Sequence, residues 1–94
     1  MSEIHLTGEL VCKTGEDALI VRRHLPEHVQ RTRAEPGCVS FRVTPTEDPL
    51  IWSVEESFTD QRVFELHQTR VADSEWGRVT AGIERHYAIE GLPR

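Results

Sequence analysis

The segment Leu50-Ile51-Trp52-Ser53-Val54-Glu55-Glu56-Ser57-Phe58-Thr59-Asp60-Gln61-Arg62-Val63-Phe64-Glu65-Leu66-His67 constrains this chain most, because its period changes midway. As far as Phe58 it alternates, with Trp52, Val54, Glu56 and Phe58 on one side and Ile51, Ser53, Glu55 and Ser57 on the other. That is the pattern of a strand. At Thr59-Asp60 the alternation meets two helix-capping residues, whose side-chain oxygens accept unpaired backbone N–H groups. Beyond them Val63, Phe64 and His67 share one helical face. A strand running straight into a helix that folds back over it is expected to bring Trp52, Glu56 and His67 towards one pocket.

The flanking sequence supplies the rest of a domain. Ile4, Leu6, Leu10 and Cys12 alternate with His5, Thr7, Glu9 and Val11 in a first strand. Thr14 followed by Asp17 resembles a helix start, and Ala18, Val21, Leu25, Val29 and Thr32 form the stripe of the helix, with Leu19 off it. Pro26 inside a helix costs about 3 kcal/mol, so a kink or break is expected near Leu25, with Pro26 opening a second helical piece. Glu35-Pro36-Gly37 ends the helix, and Cys38–Thr44 is a second strand with Val39, Phe41 and Val43 towards the core. Pro45–Pro49 is a turn joining it to the third strand as an antiparallel hairpin. The second helix is expected to fade near Thr69-Arg70. A short helix capped within Ala72-Asp73-Ser74 then carries Trp76, Val79 and Ile83, and Arg85–Ile89 is a last strand. The order predicts one α+β domain over 1–94: a ferredoxin-like split βαβ fold with a four-stranded antiparallel sheet and helices on one face.

A chain of 94 residues with 37% hydrophobic residues buries a modest core, and the uncovered sheet face shows His5, Thr7, Glu9, Val11, Ser40, Arg42, Ile51, Ser53 and Glu55. This mixed set, with Arg42 near acidic Glu55 or Glu9, favours pairing with a second copy as a homodimer. The net charge of −5 and the scatter of basic residues argue against nucleic acid or an anionic membrane as partner. No apolar run approaches a membrane span and no signal pattern opens the chain, so a cytoplasmic protein is expected. Cys12 and Cys38 read as reduced core thiols.

Glu35-Pro36-Gly37-Cys38-Val39-Ser40-Phe41, and then Glu56 and Phe58 followed by Phe64 and His67, resemble the antibiotic biosynthesis monooxygenase family of the dimeric α+β barrel superfamily. The resemblance spans nearly the whole chain. It implies a homodimer with a small pocket in each subunit between sheet and helices. It also implies oxygenation of quinols, polycyclic phenols or polyketide-like molecules without a cofactor. Haem-degrading relatives are a minor alternative, because the chain contains no Asn and His67 stands where their Trp aligns. A non-catalytic binding or accessory domain of the same fold is the main rival.

Oxygenation without a cofactor needs a substrate that supplies its own electrons once deprotonated, hence a base and donors for an oxyanion. His67 suits the base, with its usual pKa of about 6.5, and Glu56 suits a partner that orients it. Trp52, Phe41, Phe64 and Trp76 are candidate pocket walls, with His28 and Tyr87 as secondary candidates. Each of these also reads as ordinary core or as a structural pairing. His24 and His28 are four apart but lack a third ligand, so no metal site is expected.

Overall fold

Alternation at the start of the chain forms β1 (Ile4–Val11), and Thr14 caps α1 (Gly15–Arg33) by accepting from the Asp17 N–H. The hairpin is β2 (Cys38–Pro45) and β3 (Ile51–Phe58); then come α2 (Gln61–Ala72), α3 (Glu75–Val79) and β4 (Glu84–Glu90). The structure, a computed structural model, describes residues 3–92. Its strands form one antiparallel sheet in the order β2-β3-β1-β4, the ferredoxin-like arrangement that the element order predicts.

The two central strands carry most of the core. Ile4, Leu6 and Leu10 of β1 and Val54 and Phe58 of β3 join Val21 of α1, Phe64 of α2 and Trp76 of α3 in one apolar cluster. Each such aliphatic or aromatic side chain contributes about 1.5–3 kcal/mol by leaving water. The opposite face of β1 and β3 is solvent-facing at His5, Thr7, Glu9, Ser53 and Glu55, and partly covered at Val11 and Ile51. Arg42 meets Glu55 at 3.0 Å within one chain, directly across the β2–β3 ladder.

Four local expectations are corrected. α1 runs unbroken through Pro26, because Pro26 and Arg22 both lie on the exposed side and water can satisfy the carbonyl freed there. Val39 is 52% exposed rather than in the core. A bulge between Cys38 and Ser40 interrupts the alternation, so that Cys38 pairs with Phe58 while Phe41 pairs with Glu56. α2 extends past Thr69-Arg70 to Ala72, with the Thr69 hydroxyl bonded back to the Glu65 carbonyl. Ile83 is buried but lies beyond α3, which ends where the Thr80 hydroxyl donates to the Trp76 carbonyl. Both cysteines are free, Cys12 lying one residue past β1, and burial pushes both thiols up.

Gly37 joins α1 to the sheet at close quarters. Its φ of +87° is left-handed, and a Cβ there would lie 2.7 Å from the Val63 methyls and 2.8 Å from the Thr59 hydroxyl. The start of α2 therefore seats directly on the start of β2. That contact brings Glu35, two residues earlier, under α2.

Candidate functional site

Register places Glu56 opposite Leu6 of β1 and Phe41 of β2, so its carboxyl rises from the helix-covered face between apolar neighbours. It is only 6% exposed. Asp60 caps α2 by accepting from the Val63 N–H, and two turns later His67 lies over β3 with 3% of its surface open. Its Nε2 is 3.5 Å from Glu56 Oε1, within ion-pair range but without hydrogen-bond geometry. Its Nδ1 is 2.7 Å from Glu35 Oε1. The other oxygen of Glu35 accepts from Arg70 Nε, and Arg70 Nη2 donates to the Thr32 hydroxyl at 3.0 Å.

The row Thr32, Arg70, Glu35, His67, Glu56 has a direction. Glu35 already faces a guanidinium, so its natural second donor is the His67 Nδ1–H, which leaves the Nε2 lone pair turned to Glu56. Burial pushes Glu56 up to about 7; Glu35 adds to this and Arg85 opposes it. Burial lowers His67, and the Glu35 contact only partly restores its basicity. Near neutral pH the ring is therefore neutral, beside a carboxyl poised between its two forms.

Space opens in front of Glu56. A cleft of about 370 Å³ lies over Leu6, Leu10 and Val54, walled by Phe41 and Trp76, with Arg85 and Tyr87 at its β4 side. His28 of α1 completes the wall, stacked on Trp76 at 4.5 Å and edge-on to Phe41 at 5.1 Å. Burial, with help from His67 and nearby arginines, holds His28 down at about 3, so it is a neutral ring. Tyr87 keeps 36% of its surface open, while burial of its phenol pushes it up to about 12. Trp76 is positioned by a backbone contact. A Cβ on Gly77 would fall 2.1 Å from the Val71 carbonyl oxygen, so α3 lies directly on the end of α2.

Of the residues expected at a pocket, Glu56, His67, Phe41, Trp76, His28 and Tyr87 surround this cleft. Trp52 does not. Four residues along a strand is about 13 Å, which carries it from Glu56 to the apolar cluster with Leu10, Cys12 and Val21. Phe64 faces Phe58 at 5.6 Å instead, one turn behind His67. Glu35, Arg70 and Arg85 were not anticipated. Arg70 follows His67 by three residues, a spacing that puts both on one helical face, and Arg85 shares strand parity with Tyr87. Those two signals were available. Among the described residues no cluster of three or more His, Cys, Asp or Glu side chains is placed to hold a metal ion, and no helix is long and apolar enough to cross a membrane.

The fold recurs in solved structures. Rv0793 from Mycobacterium tuberculosis superimposes with a TM-score of 0.75 at 15% identity, over 99% of this chain and 97% of its own. PA3566 from Pseudomonas aeruginosa gives 0.73 at 21% identity, over 100% and 95%. A candidate antibiotic biosynthesis monooxygenase from Nitrosomonas europaea gives 0.77 at 15% identity, over 97% and 98%. Comparison with curated protein sequences returns no match. The sequence model for antibiotic biosynthesis monooxygenase matches residues 6–75, three-quarters of the chain, and the chain belongs to that family.

Proposed function

We propose that the cleft binds a small aromatic, quinol or polyketide-like molecule and that the row from Glu56 to Glu35 draws a proton from it. The resulting anion then reacts with O₂ without a metal or organic cofactor. One observation carries this reading: an imidazole fixed between two unequal carboxylates at the base of an aromatic-walled space of about 370 Å³. That volume suits a small-molecule site. The family and the monooxygenase description of a structural neighbour point the same way.

The chemistry balances on the substrate alone. A phenol with an activated CH₂ group loses a proton, gives its electrons to O₂ and ends as a ketone, one oxygen atom retained and the other leaving as water. Glu56, as carboxylate, faces the cleft and takes the proton. His67 Nε2 accepts it in turn, and Glu35, anchored by Arg70, stabilises the imidazolium that forms. The same proton is returned to the departing oxygen. His67→Ala should lower substrate-dependent O₂ uptake on anthrones and quinols at least about 100-fold, with circular dichroism unchanged. Uptake that survives the substitution removes His67 from the reaction.

A homodimer through the uncovered sheet face belongs to the same proposal. Half-buried Val11 and Ile51 and the Arg42–Glu55 pair form a mixed surface suited to a second copy. Sedimentation should give about twice the 10.8 kDa of one chain at micromolar concentration. A single-chain mass under those conditions rejects it.

A further inference from the structure

Arg85 stands where a cation is unexpected. It is on β4, an edge strand whose residues are all exposed, and shares strand parity with Tyr87 on the side that lines the cleft. Its Nη1 donates to the carbonyls of Thr80 and Ile83 at 2.8 and 3.0 Å, and its Nη2 donates to the Thr80 hydroxyl at 2.7 Å. All three acceptors are neutral. No Asp or Glu lies within ion-pair range of Arg85 among the described residues, whereas Arg31, Arg42, Arg70 and Arg78 each face one.

The way Arg85 is held leaves a defined edge towards the cleft, beside the Tyr87 hydroxyl. A guanidinium has five N–H donors, and these contacts use both on Nη1 and one on Nη2. The N–H of Nε and the remaining one of Nη2 lie on the same side of the plane, the fork that grips a carboxylate through both oxygens. Thr80, itself fully buried and bonded to Trp76, fixes the other end. Long-chain flexibility, which usually weakens an exposed Arg as a binding group, is thereby removed in advance.

The other walls complete the ligand's description. Leu6, Leu10, Val54, Phe41 and Trp76 offer flat apolar contact and no charge. Glu56 faces the same space from the floor, so an acidic ligand gains by keeping its anionic end at the β4 side and its ring inside. We propose that the cleft is selective for aromatic acids, the carboxylate held by the outward fork of Arg85 beside the Tyr87 hydroxyl and the ring lying against Phe41 and Trp76. This deepens the reading of the cleft as a substrate site and rests on it. Arg85 is then the residue that sets which phenols or quinols enter.

The test is a paired titration by calorimetry with 2-naphthoate and 2-naphthamide, which share a shape and differ in charge. The native chain should bind the carboxylate at least about tenfold more tightly. Arg85→Gln should remove that preference while changing naphthamide binding less than about threefold, and Arg85→Lys, which keeps the charge without the fork, should restore part of it. Equal binding of the two probes by the native chain, equal loss of both in Arg85→Gln, or failure of both to bind overturns the proposal. The measurement needs no O₂ consumption. A preserved carboxylate preference beside a silent oxygen assay would therefore sink the oxygenase reading and leave the acid site standing.

Discussion

Two carboxylates flank His67, and they live under opposite conditions. Behind the ring, Glu35 has each oxygen engaged, one by the imidazole and one by Arg70, while Thr32 holds Arg70 in turn. In front, Glu56 is more deeply buried, rises between apolar side chains and has only the distant Nε2 to meet it. A half-buried acid whose two oxygens both have partners acts as scaffold. A buried acid without them hovers near its neutral form and is ready to exchange a proton. On the proposed reading, this difference gives structural work to one side of the imidazole and chemistry to the other.

Removing the anion behind the ring should produce the largest effect. In Glu35→Gln the Nδ1–H loses its charged acceptor, the tautomer is no longer fixed and the imidazolium is unsupported, so kcat for O₂ uptake should fall about 10³-fold. A drop below tenfold would mean that the two sides are not functionally distinct. Glu56 is next, and its signature is a dependence of stability on pH. Its pKa, about 7 in the folded chain, is raised above the usual carboxylate value, so the folded state binds the extra proton. Stability is then greatest below about pH 4.5 as far as this group is concerned, and about 3 kcal/mol of it is lost as pH rises through 7. Glu56→Gln should flatten that slope in urea unfolding between pH 4.5 and 8. An unchanged slope would assign the proton elsewhere. The smallest change is expected for Arg70→Ala, which leaves Glu35 partly buried with no guanidinium and should cost about 2 kcal/mol in the same unfolding assay. If it costs nothing, solvent has taken over the guanidinium's place and the rear carboxylate is less secluded than its contacts indicate.

Much of this arrangement is legible in the amino-acid sequence. The switch of period at Thr59-Asp60 fixed β3, α2 and the approach of His67 to Glu56, because alternation and helical spacing are local properties of the chain. What escaped depends on distance through space. Glu35 reads as part of a helix stop, and only the seating of Gly37 against Val63 turns it beneath α2. Trp52 has the right strand parity for the pocket, yet parity gives a face and not a position along it. Val39 obeys the alternation of β2 and is nonetheless outside, since one extra residue in a bulge reverses the facing of whatever precedes it.

The missing side chain at Gly77 has a consequence for how this protein could diversify. Because α3 rests on the last turn of α2 backbone to backbone, the ceiling over the cleft cannot be lowered or raised by graded exchange of side chains there. Even one methyl group would pry the two helices apart and tip the Trp76 indole away from the His28 ring on which it lies flat. The height of the chamber is thus set by backbone contact, and any change in its volume must come from its floor or its open β4 flank.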